Sequence, residues 1–370
     1  MSADVALVGA FHTPLRRAVL LQSLEEMIFV AVQGALADAG VSLDQIDAVV
    51  LSTSDQVEGR VIESMVTNGA AGGVGRDVTT IASSGEHAFI YGCLRIRAKQ
   101  AKRVLVVVWS KESEGLNPAH ADLLSAEPFL LRPLGMTTTA AAGLQASAYT
   151  LAFGANVKAA RKVRETRASA ARIAHGDLTP QGSAAMRSWP LVDMDIPQPC
   201  DVACAVVLAE AEVVTEEDTP AWITGMGWVT AAYDLADRDL TRFEALEAAA
   251  ARAFTLSGNA ANSDVVEVQE ISSIASFAAC EALGLAPRGC GSDAALGATP
   301  IVNPSGGNLP ANPGNATGVM RFVAAAQQVR GRAGSTQVTP RPRAAVGAAL
   351  HGFAGQGAAV VCFNVEREAQ

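Results

Sequence analysis

Short runs that are apolar at every position alternate along the chain with longer stretches whose apolar residues recur every three or four positions. Val5 to Val8 is the first such run and stops at Gly9. Behind it, Leu24, Met27, Ile28, Ala31, Ala35 and Leu36 follow helical spacing. Ser23 and Glu26 form a capping box at the start of that helix, and Gly40 closes it. The strand Asp47 to Ser52 follows. Gly85 then opens a helix to about Ala98, and the strand RVLVVVWS runs from Arg103 to Ser110. The same succession recurs later. A helix from Leu240 to Leu256 ends at Gly258, a strand spans Asp264 to Glu270, Gly318 opens another helix, and Arg343 to His351 is the last strand of the set. Strands apolar on both faces, alternating with helices, predict sheets covered on both sides. The repeat divides the chain into an N-terminal half, 1–215, and a C-terminal half, 216–370.

The rhythm is lost between Glu112 and Pro190, which reads as an insertion at about 112–190 in the first half. Its pattern predicts one long polar helix, Leu144 to Ala174, and a loop rich in Pro, Ser and Thr. An insertion of this length in a compact domain serves as a lid or binding surface, or as a dimerisation arm. The strand Arg103 to Ser110 is expected at a sheet edge. It is too apolar to stand in water, and so predicts a homodimer or hetero-oligomer.

Composition narrows the classes. At 49% hydrophobic and 18% charged, 370 residues can bury a large core. With only 5% aromatic residues, small side chains must fill that core, which favours helices packed closely on sheets. The formal charge of −9 and the lack of a basic stripe argue against a nucleic-acid partner. The clusters Lys99, Lys102, Arg103 and Lys158, Arg161, Lys162, Arg164 read as solvated helix faces. No run reaches the eighteen apolar residues of a membrane span, and no secretory leader is recognisable at the start. Six scattered cysteines, with Cys200 and Cys204 lacking a second pair or a nearby histidine, suggest buried hydrophobes in a reducing cytoplasm rather than a disulfide or metal set.

Several ordered segments carry a family resemblance. Ile301 to Phe322, IVNPSGGNLPANPGNATGVMRF, resembles the NPSGG…GHPxGATG loop of thiolases. CDVACAVVLAEAE (Cys200 to Glu212), VEVQEISSIASFAACEALGL, ALHGFAGQGAAVVCF and the opening VGAFHTPLRR resemble further segments of that superfamily. The nearest branch is the sterol-carrier-type thiolases and bacterial acetyl-CoA acetyltransferases. The resemblance implies a five-layered αβαβα fold built from two repeated halves, and a coenzyme A thioester as substrate or ligand with no bound cofactor. Ser305, Gly306, Gly307, Gly318 and Gly355 are then expected to bind the substrate through their backbones.

The thiolase chemistry does not transfer. The family's nucleophile is a cysteine at a helix N-terminus, beginning a CxSG turn; here the turn is Ala82, Ser83, Ser84, Gly85, so alanine holds that place. Ser83 is a weak alternative nucleophile, because no base is evident beside it, and the serine pair reads as a helix cap. The GHP histidine is replaced by Asn312, and the His or Asn of the HDCF/NEAF stretch by Gln269. Both donate hydrogen bonds but neither takes a proton. His351 is the one titratable imidazole of the expected cavity, with His87 a further candidate on the Gly85 helix. The catalytic candidates are therefore His351, Asn312 and Gln269. Two functions follow. One is a catalytically silent acyl-CoA-binding subunit of a complex that forms or cleaves C–C bonds. The other is an enzyme without an acyl intermediate, such as one for retro-aldol cleavage of a β-hydroxyacyl-CoA, or else an unusual acyltransferase. Family aldolases show a tyrosine-bearing pattern, and Tyr91, Tyr149 and Tyr233 lie outside the matched loops. The expected partners are a second copy or a thiolase paralogue, and an OB-fold/zinc-ribbon subunit.

Overall fold

The computed structural model describes residues 4–55, 62–115, 118–154, 157–176, 178, 182–257 and 260–367. Gly258, expected to cap a helix, lies outside them. The first half contains β1 (Val5–His12), α1 (Leu24–Ala39), β2 (Ala48–Ser52), α2 (Glu63–Thr67), β3 (Asp77–Ile81), α3 (Gly85–Arg97), β4 (Arg103–Ser110) and, after an intervening segment, β7 (Val202–Glu210). That segment holds α4 (Pro118–Leu124), α5 (Thr138–Phe153), α6 (Val157–His175) and the small hairpin β5 (Met186–Ser188) and β6 (Leu191–Val192). The second half contains β8 (Ala221–Thr230), α7 (Glu244–Ser257), β9 (Val265–Val268), α8 (Ala275–Ala282), α9 (Gly291–Ala295), β10 (Ile301–Val302), α10 (Thr317–Arg330), β11 (Ala344–His351) and β12 (Gly357–Asn364).

The strand order is β10-β9-β11-β12-β8-β1-β7-β4-β2-β3. Read outward from its centre, each half has the same order. The first strand of the half is central and its last strand comes next; then come the strand after its inner helix (β4, β11), an earlier strand (β2, β9) and, at the edge, the strand before that helix (β3, β10). In both halves the outer strands run parallel and the inner pairings antiparallel. Among the described residues, the strands of the two halves pair at Ala6↔Trp222 and Leu7↔Ala221. Three clusters separate the layers. One packs α1 on the outer face of the first half's sheet, and a second packs α7 and α8 on the second half's sheet. The third places α3 and α10 between the two sheets, with Phe89 edge-on to Phe322 at 5.2 Å. That succession is the αβαβα layering expected from the repeat.

Two expectations need correction. RVLVVVWS is not an edge strand, because β4 is hydrogen-bonded on one side to β2 and on the other to β7. Its apolar run reflects burial on both faces inside the sheet. The edge is β3, DVTTI, whose residues are half-buried or exposed. The single helix Leu144 to Ala174 is two helices. α5 starts two turns earlier, with Thr137 Oγ1 accepting from the Ala140 amide, and stops at Gly154 in the left-handed region (φ 72°). α6 resumes at Val157.

The segment carrying α5 and α6 is fastened by a buried ion pair. Arg167 of α6 donates through Nε to Glu270 at 3.1 Å, through Nη1 to the Val302 carbonyl and through Nη2 to the Ala295 carbonyl. Both side chains are almost wholly buried, so every donor must find a partner, and these bonds supply three. The cysteines behave as expected hydrophobes, except that Cys290 is exposed. Burial pushes the thiols of Cys93, Cys204 and Cys280 up to about 12, and that of Cys200 well above the usual range.

Candidate active site

The two central helices begin close together, and the candidate site forms around their N-termini. A Cβ on Gly318 would fall 2.3 Å from Glu86 Oε2, so only glycine lets α10 start against the carboxylate in the first turn of α3. Glu86 is buried, and its Oε1 lies 2.8 Å from His351 Nδ1 at the end of β11. A carboxylate only accepts, so Nδ1 carries the proton and Nε2 keeps the lone pair. The ring is held from the other side by Gly357, where a Cβ would fall 1.8 Å from Nε2. His87 packs edge-on against the His351 ring at 4.7 Å between centroids. Burial holds the His87 imidazole below its ordinary value, against an opposing pull from Glu86.

His351, Asn312 and Gln269 line one cavity of about 210 Å³. Each amide is oriented by its own carbonyl. Asn312 Oδ1 accepts from Asn308 Nδ2 at 3.0 Å and from Thr317 Oγ1 at 2.9 Å. Gln269 Oε1 accepts from the Leu350 amide at 3.1 Å. With the oxygens occupied, the two NH₂ groups are the ends left to meet a ligand. Asn308 is pinned in turn, its Oδ1 accepting from the Glu270 amide at 2.7 Å and its Nδ2 donating to the Glu270 carbonyl at 3.0 Å. The inserted segment closes the cavity with Thr138, Thr139 and Ala142 from the start of α5, and Ile196 and Pro197 add an apolar wall.

The residues expected to bind substrate through their backbones are not among those lining this cavity. Ser305 donates through its hydroxyl to Glu267 at 2.7 Å and through its amide at 2.9 Å, within a buried cluster that includes Arg321. Gly306 lies under Ala171 of α6, Gly307 against Glu270 and Asn303, Gly318 against Glu86, and Gly355 against Phe243. Asn303, in the left-handed region at φ 53°, bonds both the amide and the carbonyl of Val268 and so extends the sheet beyond β9. The asparagine-to-glycine motif thus builds the loop that presents Asn308 and Asn312.

At the nucleophile position, Ala82 is exposed and offers no lone pair. Ser83 does have a base beside it, contrary to the reading of its sequence: its Oγ is 2.9 Å from His87 Nδ1. The N-cap of α3 is Ser84, whose side chain makes no capping bond. Sequence reasoning missed Glu86 and undervalued His87. Their one signal was the first-turn spacing Ser83, Glu86, His87, which gains meaning only once His351 is placed opposite. Tyr149 is engaged elsewhere, donating to Glu281 at 2.5 Å.

The fold is thiolase-like, and alanine stands where the resemblance places the thiolase nucleophile. Residues 228–363, which include Gln269, Asn312 and His351, match the family described as thiolase C-terminal domain-like. No curated protein matches the sequence. Among solved structures, the Ltp2-ChsH2(DUF35) aldolase superposes with a TM-score of 0.80 at 18% identity, covering 99% of both chains. A monomeric SCP2-thiolase-like protein type 1 from Mycobacterium smegmatis superposes at 0.68 and 17% identity, over 99% of this chain and 78% of that one. Human mitochondrial 3-ketoacyl-CoA thiolase in complex with CoA superposes at 0.70 and 18%, over 98% of each. At these identities the likeness is one of fold.

Proposed function

We propose that this chain cleaves or forms a C–C bond in a CoA thioester without an acyl-enzyme, as one subunit of an assembly. The observation that carries this reading is the convergence of one imidazole and two anchored amides on a single cavity, with no thiol at the nucleophile position. In the cleavage direction, His351 takes the proton from the β-hydroxyl of a β-hydroxyacyl-CoA. The Cα–Cβ bond then breaks, the hydroxyl carbon leaves as a ketone or aldehyde, and the electron pair passes to Cα and the thioester oxygen. The NH₂ groups of Asn312 and Gln269 hold that enolate oxygen. The imidazolium returns its proton to Cα, releasing the shortened acyl-CoA. Glu86 positions the ring.

The 0.80 superposition on an aldolase supports this choice over a silent acyl-CoA-binding subunit with the same cavity. That aldolase is named for two components, Ltp2 and ChsH2(DUF35), which supports a partner subunit here. A second copy is the other partner we propose, joined along the half-exposed edge strand β3. The two halves we assign to 1–215 and 216–370.

The test is incubation of the purified chain with a β-hydroxyacyl-CoA, following release of the carbonyl product, for wild type and His351→Ala. Cleavage lost in the variant supports the reading. Acyl-CoA binding by wild type with no cleavage leaves the silent subunit. One observation favours an acyl transfer instead, namely the 2.9 Å contact of Ser83 with His87. An acyl adduct that disappears in Ser83→Ala would establish it.

A further inference from the structure

We propose that Glu86, His87 and His351 form a binding site for a divalent first-row transition-metal ion such as Zn²⁺ or Co²⁺. One ligand atom from each of the three lies within 4.8 Å of the others. They come from both halves of the molecule, two from the first turn of α3 and one from the end of β11. Two imidazoles and a carboxylate are the donor set that borderline ions prefer, and three protein ligands leave a position open.

The surroundings match what a ligating set requires. Ligand atoms around a tetrahedral ion at about 2.1 Å stand roughly 3.4 Å apart, so the widest pair closes by at most about 1.4 Å while the Glu86–His351 pair opens slightly, shifts that rotation of an imidazole supplies. Glu86 Oε1 and His351 Nδ1 are already 2.8 Å apart, and an ion between them takes the place of the shared proton. Ser83 Oγ holds His87 Nδ1 at 2.9 Å. That is the outer hydrogen bond a ligating histidine usually makes, and it leaves the other ring nitrogen to bind. Glu86 is buried with its second oxygen against Gly318, so the carboxylate does not swing away into solvent. The cavity beside His351 gives the ion a route in.

Ion binding does not depend on the aldol reading, but its consequence does. An ion on His351 Nδ1 leaves the Nε2 lone pair in place but adds positive charge to the ring and weakens it as a base, so the loaded chain should cleave a β-hydroxyacyl-CoA more slowly, and a chelator should restore the rate. The decisive measurement is direct. Full-length chain, stripped with chelator and checked by circular dichroism, is titrated with Co²⁺ and separately with Zn²⁺. One ion per chain is expected, with a visible ligand-field band for Co²⁺. Glu86→Gln and His87→Ala should each weaken binding at least about tenfold, as should Ser83→Ala, which removes no ligand. If Glu86→Gln does not fold, the other two variants decide. Failure to retain an ion, or the same affinity in His87→Ala and Ser83→Ala, would overturn the site. If the ion binds as expected but no β-hydroxyacyl-CoA is cleaved with or without it, the metal site stands and the aldol reading falls.

Discussion

Asn312 shows how one side chain changes what a site can do. Asparagine keeps a donor where a histidine would move a proton, and its carbonyl is held by Asn308 and Thr317 so that the donor faces the cavity. If Asn312 and Gln269 stabilise an enolate, alanine at either position should lower kcat by about a hundredfold or more with little change in KM, because a transition-state donor is lost. Steady-state kinetics on each variant checks this. Thiolysis of acetoacetyl-CoA should be undetectable in wild type, and Ala82→Cys should restore little of it, since no histidine stands at Asn312; Ala82→Cys with Asn312→His is the informative double variant. Gly357 is the other decisive residue. A methyl group there overlaps His351 Nε2, so Gly357→Ala should displace the ring and abolish activity. Circular dichroism would then show a fold retained.

At the scale of elements, α6 is tied down by Arg167 and the cavity is closed by α5. Removing one partner of a buried pair leaves an uncompensated charge, which costs about 3–5 kcal/mol. Arg167→Met should therefore lower Tm by several degrees and loosen the cavity wall. Arg167→Met with Glu270→Gln should recover part of the loss, measured as a double-mutant cycle in denaturant. The edge strand belongs to the same scale. β3, not β4, is free to pair with another chain, and sedimentation at micromolar concentration should show a dimer. One structural relative is described as monomeric, so a monomer peak would place this chain with it and remove the β3 interface.

The whole molecule should be acid-labile from a pair of histidines that line a different cavity from the candidate site. His12 and His175 face each other at 5.8 Å, and burial lowers both, His175 to about 3. Between that value and the ordinary histidine value near 6.5, the unfolded chain binds protons that the folded chain refuses. Stability is therefore complete above about 6.5 and declines as pH falls toward 3. Thermal melts from pH 7 to pH 4 should show a falling Tm, with a shallower slope in His175→Gln.

Periodicity and capping residues were enough to read the repeat: α1 is bounded by Ser23, Glu26 and Gly40 as their chemistry requires, and the inner helices open at Gly85 and Thr317. The missing cysteine and the Asn312 and Gln269 replacements were equally plain, because they are statements about residue type. What the sequence did not contain was proximity. RVLVVVWS reads the same at an edge or in the middle of a sheet, since burial on two faces says nothing about which neighbours pair. Gly154 breaks a helix only because the chain there takes up the left-handed conformation. Ser83 meets its base and Glu86 meets His351 because two central helices start side by side. Residue types set the chemistry that is possible here, and the packing of the halves decided which groups touch.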